Sequence, residues 1–229
     1  MLFFDPLYLL FAVPGLILAM AASFYTKSTF AKYSKIGASS RLTGAGAAKR
    51  MLDAAGIYDV KIESVDGFLS DHYDPRDKTL RLSSDVYSQD SLSSIGVACH
   101  EAGHAIQHAR AYGPLALRTT LVPATNICSS LSYIVIIAGF FLSKELILVG
   151  AVFFSVAVLF SIITLPVEWD ATARAKKMMV SASIVSPDEA AMAGQVLNAA
   201  FLTYVAAAVT AILTLLYYLL RSGVFGGDE

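Results

Sequence analysis

Residues Cys99-His100-Glu101-Ala102-Gly103-His104-Ala105-Ile106-Gln107-His108 hold an H-E-x-x-H pattern on a helix-compatible run. Residues four apart in a helix stand one turn above each other, so His100 and His104 can aim their imidazoles at one metal ion. Glu101 adjoins the first of them, rotated so that its carboxylate can reach a metal-bound water rather than the metal. A bound zinc lowers the pKa of such a water to about 7, and a neighbouring carboxylate takes its proton as the hydroxide attacks a polarised carbonyl. The chemistry implied is hydrolysis.

That geometry requires a helix, and the local sequence predicts one over 91–112. Ser91 can cap its start, Leu92, Ile95, Cys99, Ala102 and Ile106 make an apolar stripe at three-to-four spacing, and Gly113-Pro114 stop it. The two histidines and Glu101 fall beside that stripe, which sets them apart from a merely solvated polar face.

Two histidines do not make a catalytic zinc site, which ordinarily has three protein ligands and a water. His108 lies about 12 Å along a continuous helix from His100, beyond a metal bonded at about 2.1 Å, and would serve only if the helix broke early. Glu168, in Leu165-Pro166-Val167-Glu168-Trp169-Asp170-Ala171-Thr172-Ala173-Arg174-Ala175, is the better candidate. It follows an apolar run on the membrane side that topology assigns to the histidine pair. The plainer reading makes Glu168 and Asp170 interfacial charges beside a belt tryptophan, Trp169, but leaves the site one ligand short. Asp170, or else Thr172, could hydrogen-bond a ligand histidine from behind and fix its tautomer. Arg174 could pair within the site or assist an oxyanion. One zinc per chain is expected.

The chain of 229 residues is 56% hydrophobic and only 15% charged, which describes an integral membrane protein. Its net charge of −1 gives no reason to expect nucleic acid. The two cysteines, Cys99 and Cys128, read as bland buried thiols rather than a disulfide framework.

Four apolar runs are long enough to span a bilayer: Leu7 to Tyr25, Leu121 to Leu142, Leu146 to Leu165, and Phe201 to Leu220. The first competes with a signal peptide, because Ala19-Met20-Ala21 resembles a cleavage site. Asp5 precedes it and Lys27, Lys32 and Lys35 follow it, the charge order of an uncleaved anchor with its N-terminus outside. Ser143-Lys144-Glu145 make the second and third runs a tight hairpin. Ser186-Pro187-Asp188-Glu189 opens the helix leading into the fourth, with a capping serine, proline at the first position and glutamate at the third. The resulting map is an anchor at 1–25, a metal-binding region at 26–119, a hairpin at 120–166, a segment with the third ligand at 167–197, a last span at 198–221 and a tail at 222–229. Lysines and arginines crowd the membrane ends of 26–119 and 167–197, which places both in the cytoplasm.

Within 26–119 the order is helix, strand, hairpin, helix. Thr43 to Ala55 reads as a helix closed by Gly56, Val60 to Val65 as a strand, and Phe68 to Tyr73 with Lys78 to Leu82 as a hairpin about Asp74-Pro75-Arg76-Asp77. A small antiparallel sheet is expected. It either offers an edge to an extended substrate or simply lids a small core.

Three segments carry a resemblance over nearly the whole length. They are Leu69-Ser70-Asp71-His72-Tyr73-Asp74-Pro75 with Leu80-Arg81-Leu82-Ser83, the Ala98-to-Ala109 helix, and Pro166-Val167-Glu168-Trp169-Asp170-Ala171. The chain resembles the small integral-membrane neutral zinc metallopeptidases of bacteria, the YugP-like group, and more distantly the gluzincin membrane proteases. The resemblance implies a bacterial plasma-membrane peptidase with His100 and His104 as ligands, Glu101 as base and Glu168 as third ligand. It also departs from the gluzincin pattern, since Thr172 stands where an acidic residue often follows the ligand glutamate by four. His72 and Tyr73 could stabilise an oxyanion, or be a solvated turn histidine and its neighbour.

The expected architecture is a mainly helical protein with four transmembrane helices and a small α+β zincin-like cytoplasmic domain, its zinc near the bilayer surface. The expected activity is endoproteolysis of membrane or unfolded protein substrates. The competing reading is a membrane scaffold in which a closed zinc site, with His108 or Cys99 as fourth ligand, is structural and partner proteins bind the domain. A transporter is disfavoured because the spans lack ionisable residues. Ala206, Ala207, Ala208 and Ala211 permit close helix packing, which leaves oligomerisation open.

Overall fold

The computed structural model describes residues 5–67 and 70–224. Their elements run α1 (Pro6–Tyr33), α2 (Gly44–Ala54), β1 (Lys61–Val65), β2 (His72–Asp74), β3 (Thr79–Ser83), α3 (Ser84–Ser88), α4 (Leu92–Ala109), α5 (Gly113–Leu142), α6 (Lys144–Ser181) and α7 (Pro187–Arg221). Helices α1, α5, α6 and α7 are each long and apolar enough to cross a membrane. The chain is a mainly helical membrane protein carrying one three-stranded sheet among its described residues.

It divides into two compact units, one of Met1–Ala22, Ala116–Pro166 and Thr203–Glu229, the other of Ser23–Leu115 and Val167–Leu202. In the first, α5 and α6 are separated by Ser143 alone, and the Thr210 hydroxyl ties α7 to α1 by donating to the Gly15 carbonyl at 3.2 Å.

The second unit holds the sheet and the H-E-x-x-H helix. α4 begins where its cap predicts, with the Ser94 amide donating to the Ser91 hydroxyl at 3.2 Å. Its end differs from the expected 112: the helix stops at Ala109, and Gly113-Pro114 instead open α5. The Tyr112 amide returns to the Gln107 carbonyl at 2.9 Å and the Ala111 amide to the His108 carbonyl at 3.0 Å, with Ala111 at φ 50°. This paired closure ordinarily uses glycine at the left-handed position, so an alanine there gives no stop signal in the sequence. The buried stripe, Leu92, Ile95, Cys99, Ala102 and Ile106, joins Ala47, Ala48, Met51 and Leu52 of α2 in one core.

The sheet is mixed rather than antiparallel. Its order is β1-β3-β2, with β1 parallel and β2 antiparallel to β3. β3 carries Leu80 and Leu82, both wholly buried, and burial places it in the centre, while β1 exposes Lys61 and Glu63 at an edge. The first arm of the expected hairpin is shorter than 68–73: β2 begins at His72, and Phe68 and Leu69 lie outside the described residues.

α7 opens on a reciprocal cap, the Ser186 amide donating to Glu189 Oε2 at 2.8 Å and the Glu189 amide to Ser186 Oγ at 3.3 Å. It runs unbroken through Gly194. Glu168, expected on a helical turn just past the third apolar run, lies inside α6, which continues past Pro166 to Ser181.

Candidate metal centre

α4 and α6 bring three candidate metal ligands together. His100, His104 and Glu168 place one ligand atom each within 4.8 Å of one another. Both imidazoles present Nε2 to the same carboxylate oxygen: Glu168 Oε2 is 3.1 Å from His100 Nε2 and 3.4 Å from His104 Nε2. The ring centroids are 4.8 Å apart and the planes nearly perpendicular at 85°, as expected for two side chains one turn apart converging on a point. The outer nitrogens are held from behind. His100 Nδ1 meets the Thr172 hydroxyl at 3.3 Å, and His104 Nδ1 meets Gln107 Oε1 at 2.9 Å.

The helices approach closely enough for this because α4 carries glycine at 103. A Cβ there would stand 2.8 Å from the Ala171 carbonyl oxygen of α6. No real side chain fits that gap, and Gly103 lies between the second ligand's position and the wall that holds Glu168.

Electrostatics favour a cation at the convergence. Burial alone would lower the His104 pKa, but the Glu168 hydrogen bond and the Glu101 charge outweigh it and raise it above the ordinary histidine value. Two carboxylates around two buried imidazoles thus ask for positive charge, which a divalent metal on three inward-facing donors supplies. Two histidines and one glutamate are the donor set of catalytic zinc with a position left for water.

Glu101 stands beside this cluster without joining it. Burial pushes its carboxyl up, and the His104 and His100 imidazoles pull it back. Its Oε2 accepts from the Tyr73 backbone amide at 3.1 Å, so the outer edge of β2 faces this carboxylate. Tyr73's side chain goes elsewhere. Burial, with the Asp59, Asp74 and Asp77 charges, raises its phenol to about 12, so it stays a donor, 2.8 Å from His108 Nδ1. His72 is exposed and bonded through Nδ1 to the Ser70 carbonyl at 2.8 Å.

The remaining expected residues also have defined places. Asp170 receives Arg174 Nε at 2.5 Å and Gln107 Nε2 at 2.8 Å, and the Arg174 guanidinium lies 5.7 Å over the Tyr112 ring. Sequence reasoning passed over Gln107, which is wholly buried. It lies three residues after His104 on the same face of the helix, a spacing that marks its nearness to the histidine but not its partners on α6.

Residues 8–223 match the family described as "Putative neutral zinc metallopeptidase". The chain belongs to this family. The "Putative membrane protease YugP" of Bacillus subtilis (strain 168) is 45% identical to it over 215 residues, 93% of this chain and 96% of that protein. No solved structure matches. Zinc metallopeptidase membership agrees with the ligand cluster, and the relative's description as a membrane protease agrees with the four apolar helices.

Proposed function

We propose that the chain is a zinc-dependent endopeptidase that cuts membrane or membrane-proximal unfolded proteins. The observation that carries the reading is the convergence of His100, His104 and Glu168, with Glu101 half-buried alongside and outside the ligand set. Zinc held by the three would polarise the scissile carbonyl and acidify a water. Glu101 removes the proton from the attacking water and passes it to the departing amine nitrogen, as a carboxylate with a raised pKa is suited to do. Thr172 and Gln107 orient the two imidazoles from behind.

The substrate class follows from placement along α6. Glu168 lies on the same unbroken helix as the third apolar run, three residues and so about 4.5 Å past its end at Leu165. A site so close to the end of a span suits chain segments in or beside the bilayer. The lysines and arginines flanking the spans support a cytoplasmic placement of this side.

The test is casein hydrolysis by the detergent-purified chain beside Glu101→Gln, with zinc measured on both. Both variants should hold about one zinc per chain, with the rate falling about 10²- to 10⁴-fold in Glu101→Gln. Equal rates, or zinc loss in the variant, would remove Glu101 from the role of base.

A further inference from the structure

The Gln107 side chain, carried on α4, touches both a ligand histidine and α6, the helix that bears the third ligand. A glutamine buried to 0% exposure is costly unless each polar atom is bonded, and here each is. The carboxamide nitrogen donates to the Val167 carbonyl at 2.8 Å and to Asp170 Oδ2 at 2.8 Å, while the oxygen faces His104 Nδ1 at 2.9 Å.

These partners fix the direction of every proton. The Val167 carbonyl and the Asp170 carboxylate, held by Arg174, only accept, so the amide must present NH2 to both and oxygen to His104. An oxygen can only accept, so His104 Nδ1 carries a hydrogen, and the neutral ring is the tautomer whose Nε2 lone pair faces Glu168 and is open to a metal. A flipped amide would set oxygen against two oxygens. The arrangement is braced in a circuit: Asp170 bonds Arg174, Arg174 lies over Tyr112, and the Tyr112 amide returns to the Gln107 carbonyl at 2.9 Å.

We propose that Gln107 is the positioning residue of the metal centre, setting His104 as an Nε2 ligand and docking the Glu168-bearing stretch of α6 against α4 through the same amide. Asp170 and Arg174 act through it. Arg174 therefore serves metal geometry rather than an oxyanion. The inference rests on the zinc reading above and deepens it, because it names what makes two helices far apart in sequence present one ligand set.

Gln107→Met keeps the side chain's length and volume and deletes its hydrogen bonds. The full chain in detergent would be titrated with zinc against a chromophoric chelator and loaded with cobalt for its visible spectrum, with thermal unfolding of the metal-free protein followed in parallel. The expected result is a zinc affinity about 10- to 100-fold weaker with altered cobalt bands. Should Gln107→Met fail to fold, Asp170→Ala removes one of the two bonds that hold the amide to the other helix; a drop in zinc affinity with altered cobalt bands is expected. A variant that folds and binds zinc with wild-type affinity and an unchanged cobalt spectrum overturns the proposal, whatever its melting point. Wild type that binds no stoichiometric zinc would instead overturn the metallopeptidase reading, so the two failures are told apart.

Discussion

Cys99 precedes the first ligand by one residue, yet its thiol points into the apolar core shared with α2. A step of one residue turns a helix by about 100°, enough to separate a metal-facing imidazole from a core-facing sulfur. Burial pushes the thiol up to about 12, as befits a side chain packed among apolar neighbours. His108, the other group that could close the site, is engaged by the Tyr73 phenol. Both arguments weigh against a four-ligand structural zinc and in favour of an open position. In a Cys128→Ser background, maleimide should leave Cys99 unmodified in the folded protein with or without a chelator, and label it only after denaturation. Labelling that appears on chelation alone would mark Cys99 as a ligand.

At the scale of elements, the metal site depends on how closely α4 and α6 can pack, and Gly103 reports on this, while Gly96 faces α7. A Cβ at Gly103 would meet the Ala171 carbonyl oxygen at 2.8 Å, whereas one at Gly96 would meet the Ala193 carbonyl oxygen at 3.3 Å. Backbone cannot yield as a flexible side chain can, so Gly103→Ala must push the ligand helices apart at a cost of about 1–3 kcal/mol. Gly103→Ala should lose zinc affinity and melt earlier, while Gly96→Ala should bind zinc as wild type does. Calorimetry and zinc titration on the pair check both. Similar zinc affinities in the two variants would mean that the centre tolerates movement of α6.

The same elements show what a one-dimensional reading can reach. The start of α4, the reciprocal cap of α7 and the turn at Asp74-Pro75-Arg76-Asp77 were legible because each is a local bargain between a side chain and its own backbone. Glu168 was legible through topology, since a carboxylate just past a span had to lie on the histidines' side. The parallel pairing of β1 with β3 was not, because it is decided by which strand's leucines the core buries. The end of α4 was hidden by an alanine in a conformation that usually advertises itself with glycine. Gln107 was overlooked because a buried amide is meaningful only when its three partners, two of them about 60 residues away, are known.

For the whole molecule, the open choice is which side of the membrane holds the metal unit. If all four long apolar helices cross, Asp5, the break at Ser143 and Arg221 share one side, and the chain between α1 and α5 lies on the other. The charge distribution then selects between two orientations. Lys27, Lys32, Lys35, Arg110, Arg118, Arg174, Lys176 and Lys177 lie near the membrane ends of the metal-bearing segments, against Lys144 and Arg221 opposite. Positive-inside bias acts most strongly on charges within about 15–20 residues of a span, and all of these qualify. Alkaline phosphatase fused after Val224 should be active in bacterial cells, and a fluorescent protein that matures only in the cytoplasm should light up when inserted in the Asp74–Asp77 turn. The reverse pattern would put the ligands outside, where secreted or surface chains rather than cytoplasmic ones would have to be the substrates. Phosphatase activity at both positions would break the parity of four spans, and one of the long helices would then have to lie along the membrane rather than through it.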